Sequence, residues 1–179
     1  DDKGRPKIRA DKIPTEEGVF VYPEATGAAN WWSPSYSPLT KWFYQMSFDG
    51  GAKFYKGEAV YKKGTPYLGG MPDRSAFFVE TPDPNVMSAV RALDPETGER
   101  VWQYEVQAMS SSGLLTTGSN LLFGGTAKGV FFALDATTGK ELWKLDLGAR
   151  VHAAPITYLL DGKQYVTIAA GSALFTFGL

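Results

Sequence analysis

The chain has 179 residues, 44% of them hydrophobic and 14% aromatic, with a net charge of −1. That is enough apolar material for a real core, and too little net charge to draw in nucleic acid or anionic lipid. With no Cys and only His152 there is no disulfide, thiolate chemistry or multi-His metal site, and no apolar run reaches the ~20 residues of a membrane helix.

The first residues, DDKGRPKIRADK, are polar and lack the order of a signal peptide, and the chain does not begin with Met. An internal or processed piece of a longer protein is expected. From Gly27 the sequence runs GAANWWSPSYSPLTKWFY; Pro34 lies seven residues after Gly27, and Tyr44 ten after Pro34. The same spacing returns from Gly148 through Pro155 to Tyr165. Between Asp49 and Pro84 a stretch rich in Gly, Lys and Tyr interrupts the pattern and reads as an insertion between a second and a third strand. Its Tyr61, Lys62, Lys63 and Tyr67 suit a solvated loop or the rim of a substrate entrance.

Next come two near-copies, ALDPETGERVWQY from Ala92 and ALDATTGKELWKL from Ala133. Asp94 and Asp135 are 41 residues apart, as are Trp102 and Trp143. Each Asp can accept from the backbone two residues on, and Gly98 or Gly139 can take the positive φ that closes a hairpin with a bulge. The Trp then sits at a fixed place on the following strand, where its flat ring docks one repeat onto the next, burying ~150–250 Å². Short apolar runs such as LLFGG, VFFALD and KELWKL alternate with Gly-containing turns, and no helical period is present. A repeat of about 40 residues built from such strands predicts an all-β fold with propeller blades. The expected divisions are a lead-in at 1–22, a blade at 23–106 with its insertion at about 49–84, a blade at 107–147, and closing strands at 148–179. About three four-stranded blades cannot close a ring, so the rest of the propeller, on missing blades or a second chain, is an expected partner.

These residues resemble the quinoprotein alcohol dehydrogenases, propellers that use pyrroloquinoline quinone (PQQ). Their docking motif, Ala-x-Asp-x-x-Thr-Gly-Lys-x-x-Trp, is matched throughout by Ala133 to Trp143, and by Ala92 to Trp102 except at Glu99. Gly27 to Tyr44 resembles the family's Gly-x-x-Asn-Trp segment. Ser111 to Asp135 resembles its penultimate full blade, and Gly148 to Phe177 its closing segment. The resemblance implies the C-terminal portion of a ring expected to have eight blades.

It also implies that Asn30 contacts the quinone, where the residue alone better suits a turn cap. Trp31 is the second such contact. In the other two blades the matching axial positions are Ser111, Ser112, Gly171 and Ser172, small polar residues where some relatives carry Trp or a Gly pair. Crowding of strands is the structural alternative there. His152 reads as structural, as do Trp102 and Trp143. The family's Asp base, calcium ligands and Cys pair belong to segments this chain does not contain, so no catalytic residue or metal ligand is assigned.

The expected activity is oxidation of an alcohol or sugar hydroxyl with PQQ and calcium, in the periplasm or outside the cell. Electrons would pass to a cytochrome c or membrane quinone, and the chain by itself would be inactive. The alternative is a non-catalytic PQQ-repeat propeller serving as a binding or assembly scaffold.

Overall fold

A computed structural model describes residues 1–67, 79–80 and 87–179. Its regular structure is a 3-10 turn at Ala10–Lys12 and a series of short strands. The chain divides into two units, Asp1–Ala28 with Gly50–Pro82, and Ala29–Asp49 with Asp83–Leu179.

In the first unit, β1 (Val19–Val21), β4 (Gly51–Phe54) and β5 (Val79–Glu80) form an antiparallel sheet in the order β1-β4-β5. Residues of the expected lead-in therefore pair with residues of the expected insertion, Val19 opposite Phe54 and Val21 opposite Ala52. Part of that insertion, 68–78 and 81–86, lies outside the described residues.

The second unit holds three antiparallel sheets. The first contains β2 (Ser35–Ser37), β3 (Trp42–Phe48), β6 (Ser88–Leu93) and β7 (Arg100–Val106), paired in that order. The second contains β8 (Leu115–Thr116), β9 (Leu121–Gly125), β10 (Val130–Asp135) and β11 (Glu141–Asp146), paired in sequence. The third has β12 (Ile156–Leu160), β13 (Lys163–Ala170) and β14 (Ala173–Gly178). This is the propeller-blade architecture that the repeat predicts, with one strand fewer in the third sheet.

Both DxxTG turns form as their chemistry requires. Asp94 Oδ1 accepts from Glu96 N at 2.8 Å, and Asp135 Oδ1 from Thr137 N at 2.7 Å. Gly98 and Gly139 have φ of +75° and +73°, which a residue with a Cβ adopts at a cost. Each hairpin shifts register by a bulge, between Ala92 and Leu93 and between Ala133 and Leu134.

Because side chains alternate along a strand, each sheet offers one face to each neighbour. Tyr44, Met46, Val90 and Ala92 of the first sheet pack with Leu122, Phe132 and Leu134 of the second. The opposite face of the second, Phe123, Phe131 and Ala133, packs with Val166, Ile168 and Ala170 of the third. Each fully buried Leu or Phe in these layers contributes ~1.5–3 kcal/mol by the transfer of its side chain from water.

Trp102 Nε1 and Tyr44 Oη both donate to Ala136 O, each at 3.0 Å, so the first sheet holds the turn of the second by a single carbonyl. Trp143 repeats the docking against the third sheet, its ring 5.4 Å from that of Phe177, edge to face. Both tryptophans thus dock neighbouring sheets.

Candidate functional site

Three segments lead into the first strands of the three sheets, and they lie side by side. Leu114 N donates to Ser33 O at 2.9 Å, and Ser35 Oγ and Thr116 Oγ1 are 2.7 Å apart, joining the segments ahead of β2 and β8. Ser112 Oγ donates to Ala153 O at 3.0 Å, joining those ahead of β8 and β12. Between them Gly113 permits a close approach: a Cβ there would lie 2.5 Å from Ala154 Cβ and 2.9 Å from Ala154 Cα.

The predicted residues take different places on these segments. Asn30 is exposed, and its Oδ1 accepts from Trp31 N at 2.8 Å, which orients the amide. Trp31 is 74% exposed and meets Trp32 edge to face with ring centroids 6.2 Å apart. Trp32 is buried, its Nε1 donating to Met46 O at 2.9 Å. One indole of the pair therefore packs and the other stands outward.

Ser111 is partly exposed, whereas Ser112 is fully buried and accepts from Gly125 N at 3.1 Å in addition to its bond with Ala153. The Ser112 hydroxyl holds main chain from two sheets together. Gly171, at φ +56°, donates from its backbone N to Arg150 O at 3.0 Å, and Ser172 is exposed beside it. Ser111, Ser112 and the segment from Arg150 to Ala154 are thus brought together, with Gly171 attached through Arg150. Asn30 and Trp31 stand on the adjoining segment, linked through Ser33.

His152, read from sequence as structural, is exposed, and its Nδ1 lies 2.5 Å from Ser111 Oγ. Burial, with the Arg150 charge adding to it, holds the imidazole below its ordinary value of 6.5, favouring the neutral ring. Only the 41-residue spacing of Ser111 and His152, equal to that of the docking tryptophans, pointed to this pair in the sequence. Of the tyrosines on the Gly-rich stretch, Tyr61 and Tyr67 are exposed with rings 5.9 Å apart.

An amide next to an exposed indole on one segment, and a hydroxyl against an imidazole on the adjoining two, make a donor set that fits a flat, oxygen-rich ring such as a quinone. A metal ion finds no such fit: among the described residues no group of three or more His, Cys, Asp or Glu could hold one.

Known proteins resemble this chain in sequence and in fold. A family model described as outer membrane protein assembly factor BamB (PQQ_2) matches residues 86–176, half of the chain. Quinoprotein alcohol dehydrogenase PedH of Pseudomonas putida is 35% identical over 153 residues, covering 86% of this chain and 25% of that protein. The 1-butanol dehydrogenase (quinone) of Thauera butanivorans is 36% identical over 168 residues, 93% of this chain and 25% of the relative. Among solved structures, a europium-containing methanol dehydrogenase matches with TM-score 0.75 and 31% identity, over 88% of this chain and 28% of its own. The quinohemoprotein alcohol dehydrogenase of Comamonas testosteroni matches with TM-score 0.80 and 26% identity, over 97% and 27%. The chain spans about a quarter of the length of these relatives. With docking repeats, sheet order and sequence all in agreement, the chain belongs to the PQQ-repeat β-propeller family and is a relative of the quinoprotein alcohol dehydrogenases.

Proposed function

We propose that this chain supplies three sheets of the propeller of a PQQ-dependent alcohol dehydrogenase. The observation that carries the reading is the exposed Asn30–Trp31 pair, on a segment bonded through Ser33 to the segment that carries Ser111, in a chain 35% identical to a quinoprotein alcohol dehydrogenase over 86% of its length. Oxidising an alcohol to an aldehyde removes two electrons and two protons, and PQQ, when bound, is the group that takes them up. This chain's part is binding and orientation. The Asn30 amide, anchored through Trp31 N, would bond the quinone oxygens. The Trp31 indole would pack against the ring, and Ser111, Ser172 and the Gly171 backbone would complete the contacts. Ser112 keeps two of the segments in register from below.

In this reading the substrate is a small alcohol rather than a sugar, as the names of the butanol and methanol dehydrogenases among the relatives suggest. Calcium or another metal ion would be held by residues outside this chain. A cytochrome c or a membrane quinone accepts the electrons, and the compartment is the periplasm. A scaffold without catalysis is the second reading, because the family match at residues 86–176 rests on the docking repeats and does not include Asn30.

The test adds PQQ and calcium to the complete protein that carries this chain and follows dye reduction with ethanol and 1-butanol. Turnover in the wild type and its loss in Asn30→Ala support the dehydrogenase. No turnover in either, with equal stability, supports the scaffold.

A further inference from the structure

Trp31, Ser111 and His152 hold matching places in the three sheets, each four residues ahead of the first strand, which begin at Ser35, Leu115 and Ile156. Two of these residues are already placed at the cofactor in the proposed function, and the third is an imidazole that nothing above has used. Its backbone is pinned on both sides. Val151 is fully buried with its N donating to Thr126 O at 3.1 Å, and Ala153 O accepts from Ser112 Oγ. The side chain nevertheless stands exposed and, among the described residues, makes its close polar contact with Ser111. A histidine needed only for packing would be turned into the layer of Phe131, Val166 and Ile168 just beneath it.

We propose that His152 is a cofactor-binding residue: the Ser111 hydroxyl donates to Nδ1, which places the ring proton on Nε2 and presents that N–H to an oxygen of PQQ. This rests on the proposed function. With the hydroxyl as donor the tautomer follows, because a neutral imidazole accepting at one nitrogen donates from the other. Ser111 is then a positioning residue that acts through His152, while Asn30 and Trp31 meet the quinone from the adjoining segment. The three segments together offer amide, indole and imidazole to one ligand.

The experiment measures PQQ affinity by fluorescence titration of the complete protein, with thermal midpoints recorded for every variant. His152→Ala is expected to weaken binding about tenfold, the upper worth of one hydrogen bond. His152→Gln is expected to restore most of it, because its amide nitrogen reaches where Nε2 was. His152→Asn imitates only the Nδ1 side, and is expected to bind as weakly as the Ala variant. Nitrogen-15 spectra of the imidazole should show the Nε2-protonated tautomer in the wild type and a mixture in Ser111→Ala.

Unchanged affinity in His152→Ala and His152→Asn, alongside weakened binding in Asn30→Ala, overturns this inference and leaves the dehydrogenase reading intact. A Gln variant as weak as Ala, or a ring protonated at Nδ1 in the wild type, also overturns it. A wild-type protein that takes up no PQQ overturns the underlying reading and this inference together.

Discussion

The indole of Trp102 rests on the backbone of Gly139, where an added Cβ would lie 2.6 Å from Cε3 and 2.8 Å from Cδ2. Gly98, the matching residue of the earlier turn, has nothing within 4 Å of the same position. Both glycines have positive φ, so an alanine at either costs about 1 kcal/mol in backbone strain. At Gly139 the ring must also move, adding ~1–3 kcal/mol of overpacking. Gly139→Ala should therefore lower the urea midpoint clearly more than Gly98→Ala. Equal losses would mean that the indole does not hold the turn.

Trp102 and Trp143 share a motif but not an environment. Trp102 is partly buried and bonded to Ala136 O, whereas Trp143 is 38% exposed. Truncating a large buried aromatic costs ~3–5 kcal/mol. Trp102→Ala should approach that range and Trp143→Ala should fall well below it, as measured by equilibrium unfolding of this chain.

Neighbouring serines should separate stability from binding. Ser112→Ala leaves Gly125 N and Ala153 O without their buried partner, at ~1–3 kcal/mol. Ser111 sits at the partly exposed rim, so Ser111→Ala should leave the unfolding midpoint within about 0.5 kcal/mol of wild type. A reversed order of losses would refute this division of roles.

The acid limb of stability should depend on a cross-sheet contact. The Tyr104 hydroxyl donates to Glu141 Oε2 at 2.6 Å and, ahead of the nearby Lys144, holds that carboxyl below its ordinary value of 4.5. Burial first, and then Glu141, raises the Tyr104 hydroxyl in turn. A carboxyl depressed in the folded state contributes stability that is complete above 4.5 and lost as pH falls through its lowered value. Asp135, lowered by its Thr137 contacts, behaves likewise from 3.8 downward. Thermal midpoints between pH 6 and pH 3 should therefore drop in the wild type, and drop less in Tyr104→Phe, which keeps the Asp135 part and what Lys144 still contributes at Glu141. Identical slopes would show that the Tyr104–Glu141 contact is not formed.

His152 moves the same way, in a higher pH window. Its folded value lies below 6.5, so the unfolded chain takes up the proton first. Its contribution is complete above 6.5 and declines as pH falls below it. Replacing it with Gln should remove that slope from stability measured between pH 7.5 and 5.5.

Local chemistry wrote much of the fold into short stretches of residues. An Asx-turn needs only Asp94 and the backbone beside it, strand alternation needs only neighbours, and repetition at 41 residues marks Trp102 and Trp143 as docking rings. These interactions are close in the chain, so their patterns can be read along it. The partners of those rings cannot. That Trp102 lands on Gly139, that Val19–Val21 pairs with Gly51–Phe54, and that Ser111 meets His152 depend on how separate strands come to lie side by side. Asn30 and Trp31 were legible as site candidates through family likeness, whereas His152 was not, because one histidine in an apolar run carries no local sign of what it faces. Its exposure and its serine arise from the packing of three sheets, a cooperative outcome of burial that no single stretch of residues contains.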